Sequence, residues 1–178
     1  MSTFVRLILV VMGLALLTAC GSSMTRPDDS PALNLKGQQF KSVDVKVATE
    51  MREKFSGNSI FKETVLRENI LRLLRANKFV PNLGDETNGE YVLEVTVING
   101  RIRSNFSAVF WGVMAGPDLL DGEVSVKKTT GEFVGRFRVN ANYAFGGAAG
   151  GKEQVRMNWL YDAFAKQVVA GLLGDDKK

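Results

Sequence analysis

The sequence contains no histidine, and only one of its 178 residues is cysteine. Without histidine the chain lacks the most common general base, the usual Ser-His catalytic arrangement and the commonest protein ligand for metal ions. A single cysteine also excludes a disulfide within the chain and the Cys/His sites that hold structural zinc. We therefore expect a protein that is not an enzyme and that holds neither a metal ion nor another cofactor.

A strong excess of charge of one sign is also lacking. The 23 lysine and arginine residues are nearly balanced by 19 aspartate and glutamate residues, which gives a net charge of +4. Such a mild excess does not indicate a nucleic-acid-binding protein. We find no internal repeat and no Asp-rich loop with the spacing of a calcium site. The length is typical of one domain that buries its core without disulfides or metals.

The first twenty residues have the layout of a secretory signal. Arg6 is their only charged residue, and an apolar run from Leu7 to Leu17, interrupted by Gly13, precedes two small residues and Cys20. This run is shorter than the ~20 residues that a membrane-spanning helix requires. The sequence therefore favours a cleaved signal over a membrane helix that stays in the mature protein.

The cleavage site is more specific than that of a general secretory signal. Residues 17 to 20, Leu-Thr-Ala-Cys, resemble the lipobox of bacterial lipoproteins. The resemblance implies removal of residues 1–19 and a diacylglycerol, with chains such as palmitate, on Cys20, which also accounts for a lone cysteine in an exported chain. Gly21, rather than Asp, follows the cysteine, and in enterobacterial lipoproteins this favours the outer membrane. We expect a lipid-anchored protein that faces the periplasm.

The mature chain divides into a tether and one domain. Residues 20–39 are predicted to form a flexible tether, because small, polar and proline residues dominate them. Residues 40–174 are predicted to form a single domain, in which alternating apolar residues indicate strands and apolar helical faces indicate helices. The predicted elements, in chain order, are a strand at 40–48, a helix at 59–76, strands at 90–103, 119–127 and 132–143, and a helix at 152–173.

The order β-α-β-β-β-α is typical of an α+β fold, here a two-layer α/β sandwich with helices on one face of a mostly antiparallel sheet. The first strand shows its alternation in Val43, Val45 and Val47. The pattern does not identify the partner of this strand. The clearest helical stripe lies in the last helix, where we expect it to pack on the sheet, and consists of Met157, Leu160, Tyr161, Phe164 and Val168.

An aromatic segment at 105–117 is the first candidate for a binding surface. It lies between two predicted strands, and Trp is common where a protein contacts a partner or a lipid interface. Its candidate contact residues are Phe106, Phe110, Trp111 and Met114. The alternatives for this segment are a lipid or glycan site and a buried connection that closes one end of the sheet.

Charged residues supply two further candidates. Four arginines are predicted to line one polar face of the sheet, where they either meet anionic headgroups or glycan or form an ordinary solvated surface: Arg101, Arg103, Arg136 and Arg138. Paired carboxylates are able to act as general acid and base, although most such acids are solvated turn residues. The densest acidic group consists of Asp118, Asp121 and Glu123.

The glycine-rich stretch at 146–152 has the spacing G-x-x-x-x-G-K of a phosphate-binding loop. Glu153 follows Lys152, however, at the position where such a loop requires Ser or Thr for magnesium. A carboxylate there would repel phosphate. We therefore expect a connector between the last strand and the last helix, and no bound nucleotide.

The mature chain also resembles an uncharacterised family of bacterial lipoproteins, the domain of unknown function 4410. The resemblance rests on a leucine-rich helix end at 73–79, on the residues from 112 to 116 with the strand pair at 124–137, and on a glycine stretch before the last helix. It covers about residues 40–173, and Lys127 and Lys128 stand where the family often has Asp. The resemblance implies an α/β envelope domain with no activity and no functional residue beyond the lipidated cysteine.

These observations predict a lipid-anchored lipoprotein of the cell envelope. It would act as a non-enzymatic binding or assembly module with an envelope protein partner. One alternative is a carrier or sensor of a lipid or glycan that uses the 105–117 segment. A carboxylate-based hydrolase is the other alternative, and two acids that converge in a cleft would favour it.

Overall fold

The computed structural model describes residues 20–56, 61–80, 89–104, 116–144 and 152–174. Within these ranges the chain forms one sheet and a layer of helices. The elements in chain order are β1 (Cys20–Thr25), β2 (Phe40–Val47), α1 (Thr49–Ser56), α2 (Glu63–Ala76), β3 (Tyr91–Arg101), β4 (Asp118–Lys128), β5 (Phe133–Tyr143) and α3 (Glu153–Leu173).

The five strands form a single sheet in the order β1-β5-β4-β3-β2. Strands β3, β4 and β5 follow one another as antiparallel neighbours, and β1 is antiparallel to β5. Strand β2 is parallel to β3. Parallel neighbours need a crossover connection, which α1 and α2 supply. The prediction of a mostly antiparallel sheet is confirmed, and β3 is the partner of the first predicted strand.

The sheet has one buried face and one open face. Positions along β4 and β5 alternate between buried and partly exposed, as expected for strands that pack on one side only. The buried side chains of these strands are Leu120, Val124, Val126, Phe137, Val139 and Ala141. The opposite side, which we call the open face, includes Asp121, Glu123 and Ser125 of β4 and Arg136, Arg138 and Asn140 of β5. The predicted two-layer sandwich is confirmed.

Helix α3 contributes the largest part of the helical layer. The stripe predicted from its sequence is buried throughout, from Met157 to Val168. Burial of a large apolar side chain contributes roughly 1.5–3 kcal/mol, so this stripe is a main source of stability. Gly122 of β4 permits the close approach of the helix, because a Cβ there would lie 2.5 Å from Cζ of Phe164.

Helices α1 and α2 differ from the single helix predicted at 59–76. Helix α2 starts only at Glu63, because the backbone of Lys62 is extended and its N–H donates a hydrogen bond of 2.7 Å to the hydroxyl of Tyr161. Helix α1 was not predicted. It has only eight residues, and two buried side chains, Met51 and Phe55, are too few to establish a helical period.

The predicted tether at 20–39 requires correction. Its first residues form β1, which pairs with β5 along its whole length, and further on Leu33 and Leu35 are buried in the core. A Cβ on Gly135 would lie 2.8 Å from Cδ2 of Leu33, so the segment packs tightly on β5. Sequence composition suggested flexibility, but the edge of β5 offers unpaired backbone groups and the segment carries enough apolar side chains to dock.

Candidate functional site

Four strands meet at one end of the sheet, which we call the Cys20 end. Strand β1 begins there with Cys20, which is paired with Tyr143, the last residue of β5. Tyr143 is also paired with Asp118, the first residue of β4. Strand β3 ends next to the start of β4, at Arg101. The residue predicted to carry lipid is therefore part of a sheet edge, with other strand ends as its neighbours.

A buried ionic cluster lies beneath this end. It joins Arg103, Asp118 and Arg156, whose side chains are 2 %, 1 % and 1 % exposed. One carboxylate oxygen of Asp118 accepts hydrogen bonds from Nε of Arg156 at 2.8 Å and from Nη2 of Arg103 at 3.1 Å. The other accepts from the backbone N–H of Arg103 at 2.6 Å. Charge-assisted bonds of this kind are among the strong ones in proteins.

The same arginines also bind backbone carbonyls. Nη2 of Arg156 donates to the carbonyl of Arg103 at 2.8 Å, and Nη2 of Arg103 donates to the carbonyl of Tyr143 at 3.0 Å. The cluster thus connects the exit of β3, the start of β4, the end of β5 and the first turns of α3. Burial of an ion costs several kcal/mol unless it is well bonded. An arrangement that broke these contacts would carry that cost, so the contacts hold the Cys20 end in one arrangement.

The role of these residues was not predicted. Arg103 was expected on a polar face with other arginines, and Asp118 was grouped with surface acids; both expectations are wrong because the side chains are buried. Arg156 had no predicted role. One signal was available: Asp118 has the same strand parity as Leu120 and Val124, which places it on the buried side of β4.

Charges on the open face are largely compensated within the sheet. Three ion pairs lie along this side: Asp44 with Lys46 at 2.6 Å, Glu94 with Lys127 at 2.7 Å, and Asp29 with Arg136 at 2.7 Å. The hydrogen bond to Asp44 raises the pKa of Lys46. Exposed pairs of this kind contribute little stability. Their alternation of sign leaves no broad basic surface.

A concave region of about 420 Å³ lies where β1 ends on the open face. It is lined by Thr25, Arg26, Pro27, Glu123, Arg136 and Arg138. Arg138 is directly opposite Glu123 in the sheet register. Arg101 lies at the Cys20 end instead, where its guanidinium covers Gly116. The four predicted arginines therefore do not converge on one site.

The predicted acidic group is also divided. Asp121 and Glu123 lie on the open face, whereas Asp118 lies on the opposite side of β4. Asp121 accepts a hydrogen bond from Nδ2 of Asn99 at 3.4 Å and a second one from Nδ2 of Asn140. Within the described ranges, no group of three or more Asp, Glu, Cys or His side chains is arranged to hold a metal ion.

Several predicted features lie outside the described residues. These are the signal at 1–19, the glycine-rich stretch up to residue 151, and the aromatic residues Phe106, Phe110, Trp111 and Met114. In the sequence, the aromatic residues lie between the described residues Ser104 and Gly116. Among the helices of the described chain, none has the combination of length and apolarity that crossing a bilayer requires.

The described elements place the chain among small two-layer α+β domains. Residues 33–147 match the domain of unknown function DUF4410. Because the match includes more than half of the 178 residues, the chain belongs to this family, and the resemblance seen in the sequence is confirmed. A comparison with curated protein sequences finds no significant match.

Solved structures with a similar course of the chain are distant relatives at most. The PelC dodecamer from Paraburkholderia phytofirmans is 14 % identical, with coverage of 86 % of this chain and 99 % of that chain and a TM-score of 0.43. A protein of the DUF330 family from Xanthomonas campestris is 11 % identical, with coverage of 84 % and 88 % and a TM-score of 0.47. Likenesses this weak say nothing about what the chain binds.

Proposed function

We propose that the mature protein begins at Cys20, carries lipid there, and acts at the periplasmic side of the outer membrane as a non-enzymatic binding or assembly module. One observation carries the proposal: Cys20, preceded by a lipobox-like sequence, is the first residue of an edge strand of the folded domain. A lipid at this position holds the domain directly against the bilayer. The domain is then presented to other envelope proteins in a restricted orientation.

The placement of the acids supports a module rather than a hydrolase. A general acid and base need two carboxylates that face the same substrate. Asp118 is instead enclosed by two guanidinium groups, and Asp121 on the other side of β4 is bonded to the amides of Asn99 and Asn140. Asp118 and Asp121 therefore do not face a common substrate as a general acid and base.

The anchor is tested with the full chain expressed in a Gram-negative host. Mass spectrometry of the N-terminal peptide is expected to show a chain that starts at a diacylglyceryl-modified Cys20. A Cys20→Ser variant is expected to lack the lipid. An unmodified cysteine in the mature protein, or a retained residue 1–19, would contradict the proposed anchor.

The choice of membrane is tested with Gly21→Asp. Density-gradient separation is expected to find the native protein with the outer membrane and the variant with the inner membrane. The substitution suits the test because a Cβ on Gly21 would lie 3.7 Å from the amide of Asn142, an ordinary contact that leaves β1 in place. Equal distribution of both proteins would refute the outer-membrane assignment.

Partner binding is tested by photo-crosslinking in intact cells. A photoreactive residue replaces Phe110 in the aromatic segment, Arg138 on the open face, or Glu68 on the outer side of α2 as a matched control. For an envelope module we expect discrete protein adducts at position 110 or 138 and none at position 68. We also expect these adducts to be lost with Cys20→Ser. If an anchored and folded protein yields no protein adduct at any position, the module function is wrong.

A further inference from the structure

The start of helix α3 exposes an apolar side chain. Val155 is 56 % exposed, and within the described residues only one other large apolar side chain, Phe133 at 50 %, is exposed to a similar degree. Phe133 begins β5, whereas Tyr143 ends it at the Cys20 end. The two exposed side chains therefore lie at opposite ends of the domain.

Contacts connect Val155 to the position of Cys20. Trp159 follows Val155 by four residues, so both lie on the same face of α3. The ring of Trp159 meets that of Tyr143 edge-on, with centroids 5.4 Å apart, and Tyr143 is the strand partner of Cys20. Neighbouring strands are about 4.8 Å apart. Trp159 is therefore separated from the backbone of Cys20 by its contact with Tyr143 and by the spacing between β5 and β1.

Positive charge is present beside this apolar surface. Lys152 is exposed and directly precedes α3, and the partly buried Glu153 follows it in the first turn. Tryptophan, exposed apolar residues and flanking cations are the composition that settles at a bilayer interface, where the apolar part enters the acyl boundary and the cations meet phosphates. Trp159 is only partly buried, so it is able to share in such a contact.

We propose that Val155, Trp159 and Lys152 form a bilayer-contact surface on which the anchored domain rests. The inference depends on the proposed lipid anchor, because lipid on Cys20 places its strand neighbours at the headgroup level. Two or three acyl chains already hold a protein firmly on a membrane. The surface therefore sets the orientation of the domain, with α3 pointing its first turn at the bilayer and Phe133 pointing away from it.

Spin labels on the lipidated full chain test this orientation. Val155→Cys and, as the matched control at the far end, Phe133→Cys are labelled with a nitroxide in vesicles of phosphatidylcholine and phosphatidylglycerol. In the lipidated protein the sulfur of Cys20 is blocked, so only the new cysteine reacts. The ratio of collisions with oxygen, which concentrates in the bilayer, to collisions with a water-soluble nickel chelate is expected to be higher at 155 than at 133. In the chain from residue 20 with Cys20→Ser, which carries no lipid, the two ratios are expected to be alike.

The outcomes separate the two proposals. If the protein floats with the vesicles and carries one label, but the ratio at 155 equals that at 133, the contact surface is refuted while the anchor stands. If two labels bind to each chain, Cys20 is free, so the anchor and the inference that depends on it both fail. Both labelled positions are exposed, and circular dichroism of each variant identifies any loss of fold.

Discussion

Replacing Asp118 by asparagine removes the only carboxylate that the described contacts assign to both Arg103 and Arg156. The side chain keeps its shape but loses its charge, and one oxygen becomes an amide donor that points at guanidinium donors. The native carboxylate accepts three hydrogen bonds, at 2.6, 2.8 and 3.1 Å. At least one of them is lost in the variant, and buried cations are left without this counterion.

Removal of one partner from a buried ion pair destabilises a protein by about 3–5 kcal/mol. This is a large part of the total stability of a small domain, which is about 5–15 kcal/mol. For a chain of this length, 1 kcal/mol corresponds to about 2–4 °C in the unfolding midpoint, so we expect Asp118→Asn to lower Tm by roughly 6–20 °C.

Urea denaturation of the chain from residue 20, with Cys20→Ser to keep it free of lipid, measures the effect. Asp121→Asn is the matched control, because this acid lies three residues further along the same strand but on the open face. The control is expected to cost less than about 1 kcal/mol. If Asp118→Asn costs no more than Asp121→Asn, the buried cluster does not hold the Cys20 end together and the reasoning is refuted.

Two further predictions concern Tyr161 and β1. Burial raises the pKa of Tyr161 from 10.0 to about 12, so the unfolded chain loses this proton at a lower pH than the native protein does. The contribution of Tyr161 to the free energy of unfolding is therefore complete below pH 10 and is lost as the pH rises through 12. Tyrosine absorbance is expected to show a late titration step that Tyr161→Phe abolishes, and a native protein without this step would contradict the assignment. In hydrogen exchange, amides at 21–25 are expected to exchange more slowly than those of a free peptide of the same sequence. Equal rates would contradict the pairing of β1 and support the predicted flexible tether.

The elements that were predicted well are those with a long local pattern. The predicted ends of strands β2 to β5 and of helix α3 differ from the observed ends by at most two residues. Each of these elements has an apolar pattern that repeats several times along the chain. Helix α1 and strand β1 were missed. Both are short, and β1 consists mostly of small residues without an apolar alternation, so its pairing with the edge of β5 has no signal in the sequence.

The candidate site was harder to predict than the fold. Arg136 and Arg138 lie on the polar face of the sheet, as predicted, but the ion pair of Arg136 with Asp29 joins residues that are distant in the sequence. The burial of Arg103 had no sequence signal of its own, because its partner Asp118 lies 15 positions further along the chain. Sequence spacing alone does not distinguish an arginine that faces solvent from one that is enclosed.

By itself the sequence determined the order of the main elements, the apolar stripe of α3 and the absence of histidine chemistry, because these depend on neighbouring residues or on composition alone. The tertiary structure alone decided that residues 20–25 join the sheet, that Asp118 and Asp121 face opposite sides of it, and that Trp159 contacts the strand partner of Cys20. These relations connect residues from 15 to more than 100 positions apart, and they arise only when the sheet forms and α3 packs on it.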